Sequence, residues 1–208
     1  MRPTYRAAIT ALALTAAMTG LASAETQPNS NITQPTYSSP TTPTATKAQT
    51  YSPEEIIGAG QTFFGNTTKG VAQAVESVFA QAGRPTGYII GEEAAGAFIG
   101  GLRYGEGTLY MKNGGQKKVY WQGPSIGFDW GGNGSRVLVL VYNIDDLGQI
   151  YDRFIGVDGS AYLIGGLGVN WQTNQRLQLA PIRTGVGARL GANLGYLKYT
   201  EMPTWNPF

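Results

Sequence analysis

Apolar residues first recur at helical spacing, twice, and then the period changes. Ile56, Ile57, Phe63 and Phe64 supply the buried side of a first helix; Val71, Val75, Val78 and Phe79 fall on one face of a second. Ser52 is placed to N-cap the first, Pro53 takes the first helical position, and Glu55 completes a capping box. Asn66 or Thr67 can cap the second, and Gly83 followed by Arg84-Pro85 ends it. The spacing predicts helices over Pro53 to Phe64 and Thr68 to Ala82, their apolar faces set for packing against a sheet.

From Gly87 onward the chain turns to short apolar runs broken by glycine. Candidate strands are Tyr88 to Ile90, Ala97 to Tyr104, Thr108 to Lys112, Lys117 to Gln122 and Ser125 to Trp130, then Arg136 to Tyr142, Ser160 to Leu163, Gly166 to Trp171 and Gly187 to Tyr199. Asn113-Gly114-Gly115 and Gly131-Gly132-Asn133-Gly134 carry hairpin-turn chemistry. Asn143 can cap a short helical turn that opens with Asp145-Asp146. From Val186 to Tyr196, apolar side chains alternate with positions that are mostly glycine, which suits a strand that bends sharply or is approached closely. The expected architecture is therefore mainly β with N-terminal helices (α+β), a small, strongly curved antiparallel barrel of about eight strands.

The segments before residue 51 read differently. Arg2 and Arg6, the apolar stretch Ala7 to Leu21 and the small-residue pattern Ala22-Ser23-Ala24 describe a cleavable export signal over residues 1–24. Residues 25–50 are Pro-, Ser- and Thr-rich with almost no large apolar side chain, the composition of a disordered tether. One folded domain, 51–208, follows, with its helices at about 53–82. Without the two leader arginines the 15 basic residues of the chain fall to 13, equal to its 13 acidic ones. A neutral chain without a basic block is a poor nucleic-acid binder. No later apolar run reaches transmembrane length. Pro203 and Pro207 interrupt the final segment, against an outer-membrane barrel. The mature chain is expected to be soluble and periplasmic.

Composition also narrows the chemistry. With no His and no Cys, a Ser-His-Asp triad, a thiol nucleophile, a His or Cys zinc site and a lipidated cysteine anchor all drop out. Carboxylates remain, but adjacent Glu92 and Glu93 would point to opposite faces of a strand, and Asp145 and Asp146 suit a helix start. Asp158-Gly159-Ser160 lacks the further ligands of a calcium loop. Gly185-Val186-Gly187 runs to Leu190 where a dinucleotide motif wants a third glycine. No catalytic residue, metal ligand or cofactor is expected. Tyr104, Tyr110, Trp121 and Trp130 are the candidate ligand-binding residues, because aromatics on strands can line a sugar or lipid groove.

The run Tyr51-Ser52-Pro53-Glu54-Glu55-Ile56-Ile57-Gly58-Ala59-Gly60, with Phe63-Phe64-Gly65, resembles the opening of the envelope integrity protein A family of bacteria, a family of unknown function. The likeness continues through Gly123-Pro124-Ser125-Ile126-Gly127-Phe128-Asp129-Trp130-Gly131-Gly132 and Val157-Asp158-Gly159-Ser160-Ala161-Tyr162, and covers residues 51–208. It implies a soluble periplasmic small β-barrel that keeps the Gram-negative envelope robust to stress, and it implies no catalytic residue. A fainter similarity, to SYLF lipid-binding domains, rests on Trp121-Gln122-Gly123-Pro124-Ser125-Ile126-Gly127, the strand Val137 to Val141 and Gly187-Ala188-Arg189-Leu190-Gly191. The serine-rich segment near that family's C-terminus is missing here, and the helix lacks a basic face. The expected function is non-enzymatic support of envelope integrity through an envelope component: lipid, lipopolysaccharide, peptidoglycan or protein. The alternatives are a lipid- or glycolipid-binding module and, third, a carboxylate glycan hydrolase using Asp129 or Asp158.

Overall fold

The computed structural model describes residues 49–65, 68–96, 102–124, 134–184 and 195–206. Both helices stand where the spacing put them, α1 over Pro53–Phe64 and α2 over Thr68–Ala82. The capping box is closed: Ser52 Oγ accepts from the Glu55 amide at 3.3 Å, and Glu55 Oε2 accepts from the Ser52 amide at 2.8 Å.

Among the described residues ten strands follow: β1 Gly87–Gly96, β2 Leu102–Met111, β3 Gln116–Pro124, β4 Ser135–Tyr142, β5 Arg153–Gly156, β6 Tyr162–Ile164, β7 Leu167–Val169, β8 Gln172–Thr173, β9 Gln178–Arg183 and β10 Tyr196–Thr200. Eight of them close a ring in the order β4-β1-β2-β3-β10-β5-β8-β9, with β9 pairing back onto β4. Every pairing in the ring is antiparallel. The last strand, β10, is inserted between β3 and β5. The β6–β7 hairpin branches off β9, because the edge of β9 that meets β8 at Gln178 and Leu179 meets β7 at Ile182 and Arg183.

Strand alternation builds two cores. Inward side chains of the ring, among them Ile89, Leu109, Val119, Trp121, Val139, Phe154, Leu179 and Tyr199, fill the barrel. Ile56, Phe64, Val71, Val75 and Val78 of the helices pack with Leu138, Leu140, Leu167, Val169 and Ile182 on the outside of the wall. β4 serves both, Val137, Val139 and Val141 facing in and Leu138, Leu140 and Tyr142 facing the helices. Burial on both faces explains its unbroken apolar run. Ile144 and Ile150 belong to the interior core, so the segment after β4 plugs that end of the barrel.

Several local expectations shift. Thr108 to Tyr110 continues the same strand as Leu102 to Tyr104, and β1 runs on from Ile90 to Gly96. Asp146, not Asn143, caps the 3-10 turn Leu147–Ile150, its Oδ1 accepting from the Gly148 amide at 2.8 Å. Strands β5, β8 and β9 fall outside the expected strands. Pro181 argues against a ladder in β9, yet its carbonyl faces the Asn170 amide at 3.4 Å, where β7 gives way to β8. A strand residue's N–H and C=O point to the same neighbour, so the donor that proline lacks coincides with that break. The expected strand over Ser125 to Trp130, most of Ala97 to Leu102 and the alternation from Gly185 to Leu194 lie outside the described residues, as do the leader and nearly all of the tether.

Candidate functional site

The barrel interior is apolar toward the plugged end and charged toward the other. Strand direction sets this. Glu93 near the end of β1, Arg103 at the start of β2 and Arg183 at the end of β9 all approach the same rim, because neighbouring strands run in opposite directions. Glu93 and Arg183 are buried, at 6% and 5% exposure. Glu92 beside it is exposed, as the opposite faces of a strand require.

Each Glu93 oxygen is engaged. Oε1 accepts from Arg183 Nε at 2.8 Å, and Oε2 accepts from Trp121 Nε1 at 3.1 Å. Arg183 Nη1 donates to Asn170 Oδ1. Arg103 Nε stands 3.8 Å from Glu93 Oε1, beyond hydrogen-bond range, and is buried without an acceptor among the described residues. Burial alone would raise the Glu93 pKa. The Arg183 and Arg103 guanidiniums, with the indole and Arg183 hydrogen bonds, outweigh it and hold the carboxyl below its ordinary range. Burial also lowers Arg183 from its ordinary value, with Glu93 pulling the other way. Tyr199, in the same interior, has its phenol raised by burial.

A missing side chain makes room for this network. Gly105 lies directly across from both Glu93 and Trp121. A Cβ there would stand 2.2 Å from Trp121 Cε2 and 2.3 Å from Nε1, so the indole lies flat on bare backbone.

Of the aromatics singled out in the sequence, Trp121 is an interior residue, 1% exposed. Tyr104 and Tyr110 alternate to the outer surface of β2. Tyr104 meets Trp205 at a tilt of 59°, ring centroids 5.0 Å apart, and its hydroxyl donates to the Trp205 carbonyl at 3.1 Å. Tyr110 stacks on Tyr88 at 5.1 Å, Tyr88 meets Tyr51 edge-on at 4.9 Å, and Lys112 ion-pairs with Glu55. That second cluster ties the start of α1 to the barrel. The three side chains thus occupy separate places, and Trp130 lies outside the described residues, as does Asp129. Sequence reasoning weighed Glu93 only as half of a carboxylate pair with Glu92, and passed over Arg103 and Arg183. The available signal was charged residues at inward parity in otherwise apolar strands: Ile89 and Glu93, Leu109 and Arg103, Leu179 and Arg183.

An open cleft of about 640 Å³ lies on the outside, where β5 meets β10, lined by Tyr151, Asp152, Arg153, Lys198, Tyr199, Thr200 and Glu201. Its acids are already engaged, Asp152 by Asn174 Nδ2 at 2.7 Å and Glu201 by Lys117 at 2.7 Å. Among the described residues no group of three or more acidic side chains gathers as a metal site, and no helix is long and apolar enough to cross a membrane. The interior charges, two guanidiniums to one carboxylate, suit an anion rather than a cation.

Comparison with known proteins adds the family. A solved structure from Brucella abortus, described as that of a beta-barrel-like, uncharacterized protein, is 59% identical; the match covers 77% of this chain and all of that one, with a TM-score of 0.70. No curated protein matches significantly. Residues 49–208 match the family model described as envelope integrity protein A, over the helices and every strand of the barrel, and the chain belongs to that family.

Proposed function

We propose that the protein is exported to the periplasm and there supports the integrity of the cell envelope as a non-enzymatic binding domain. The family match over residues 49–208 is the observation that carries this reading. Two features support it. The leader, with its cleavage pattern Ala22-Ser23-Ala24, provides the route out of the cytoplasm. Among the described residues, the buried carboxylate is locked by a guanidinium and an indole, an arrangement that neutralises it rather than freeing it for acid-base work. The partner would be another envelope component. A lipid- or glycolipid-binding module using Tyr104, Tyr110, Trp121 and Trp130 has less support, because the three described members of that set do not share a groove.

The test is complementation of a deletion strain challenged with detergent and osmotic stress. The full chain is expected to restore growth, and a chain lacking residues 2–24 is not. Equal rescue by the leaderless chain would place the function in the cytoplasm and overturn the proposal. Turnover of peptidoglycan or lipopolysaccharide by the purified protein would overturn its non-enzymatic part.

A further inference from the structure

We infer that the charged end of the barrel interior is a binding site for one singly charged oxyanion, a carboxylate or a phosphodiester group, received by Arg103. The argument is one of charge and unmade hydrogen bonds. Among the described residues, Glu93 supplies one negative charge against two guanidiniums, so that trio carries one positive charge in excess. Arg183 is spoken for: its Nε donates to Glu93 and its Nη1 to Asn170. Both Glu93 oxygens are taken, the second by Trp121 Nε1 at 3.1 Å. Among the described residues, Arg103 is then a cation whose nearest carboxylate oxygen is 3.8 Å away and whose buried Nε has no acceptor.

A purely structural cluster does not need this residue. One arginine neutralises one glutamate, and a second with an unmade N–H opposes burial without a compensating bond. Accessibility separates the two arginines in the same sense. Side-chain exposure is 18% for Arg103 against 6% for Arg183 and 4% for Glu93. The locked pair is sealed, while the spare cation can be reached. A guanidinium presents its donors as a planar fork that fits the two oxygens of a carboxylate or a phosphodiester. One such group would balance the charge and satisfy the Arg103 Nε.

This inference goes beyond the envelope role and does not depend on it, since binding is read on purified protein and the envelope role in cells. The purified chain, labelled with nitrogen-15, is titrated with acetate and with dimethyl phosphate, using chloride at matched ionic strength as the control. The Arg103 Nε–H and Trp121 Nε1–H resonances are followed. Expected is a saturable shift of the Arg103 resonance with at least one oxyanion and not with chloride. Arg103→Gln should weaken that binding about tenfold or more, the loss of a charge-assisted bond. Arg103→Lys, which keeps the charge and loses the fork, should fall between the two and guards against misfolding of the first variant. A parallel titration compares vesicles of phosphatidylglycerol with vesicles of phosphatidylcholine. An Arg103-dependent response to the anionic vesicles alone supports the site and assigns the group to a lipid headgroup. A response to the soluble anions supports it with a small ligand. A response no greater than chloride to every probe, or equal binding by Arg103→Gln, overturns the site.

Discussion

Replacing Glu93 by glutamine tests the interior network at its centre. The substitution keeps the shape and removes the charge. The carboxylate accepts from Arg183 Nε at 2.8 Å with one oxygen and from Trp121 Nε1 at 3.1 Å with the other. An amide has a single acceptor oxygen, so one of these donors would face an NH2 group and lose its partner, at about 1–3 kcal/mol. The larger part is electrostatic, since Arg183 and Arg103 would remain without a counter-charge. Removing one member of a buried pair costs about 3–5 kcal/mol, a large share of the roughly 5–15 kcal/mol that holds a domain folded. Urea unfolding at pH 7, followed by circular dichroism, should show a loss of that size. The double variant Glu93→Gln with Arg183→Met should lose less than the sum of the singles, because the stranded charge goes with the arginine. Acid supplies an internal control. Glu93 has a folded-state pKa below its ordinary value, so its contribution is present above the unfolded value and is lost as pH falls through the folded one. The gap between wild type and Glu93→Gln should therefore begin to narrow below about pH 4 and go on closing as pH falls through the lower folded-state value. A gap under about 1 kcal/mol at pH 7 would refute the electrostatic reasoning, as would a gap that is unchanged at pH 3.

Other positions test packing. Gly105→Ala drives a Cβ to 2.2 Å from the Trp121 indole and should cost about 1–3 kcal/mol, with a changed near-ultraviolet circular dichroism spectrum from the displaced ring. Gly70→Ala meets the Gly165 carbonyl at 2.1 Å and should push the β6–β7 hairpin off α2, seen as faster amide exchange at Leu167 and Val169 while β1 and β2 stay protected. Ser52→Ala removes the N-cap acceptor of α1 and should lower stability by about 1 kcal/mol in urea unfolding without altering the barrel spectrum.

What could be read from the sequence follows from how local the signals are. Helix α1 is specified by Ser52, Pro53 and Glu55 within four residues, and both helices matched to the residue. The barrel was legible from glycine-broken apolar runs, although several strand limits were not. β9 hid behind Pro181, whose missing donor is harmless only because β7 and β8 part opposite it, a long-range fact. β5 is four residues with one inward apolar side chain, Phe154, too short for alternation to register. The interior site was illegible for a related reason. Glu93 and Arg183 lie 90 positions apart, and only ring closure through β4 and β9 brings them together. The aromatics drew attention because residue type is visible in a sequence, whereas inward or outward parity depends on a register that glycine-rich strands specify weakly.

The position of β10 sets a timetable for folding. Residues 198–200 are the partners of residues 120–122 on one side, and the same strand is bound to β5 on the other. Until the C-terminal residues are delivered, β3 and β5 each present an unpaired edge, open to pairing with other chains. The ring is thus completed by β10, and a chain shortened before Tyr196 is left with β3 and β5 as open edges, prone to aggregate rather than merely weakened. Nascent-chain proteolysis should show this directly, with β3 and β5 protected only once Thr200 has emerged.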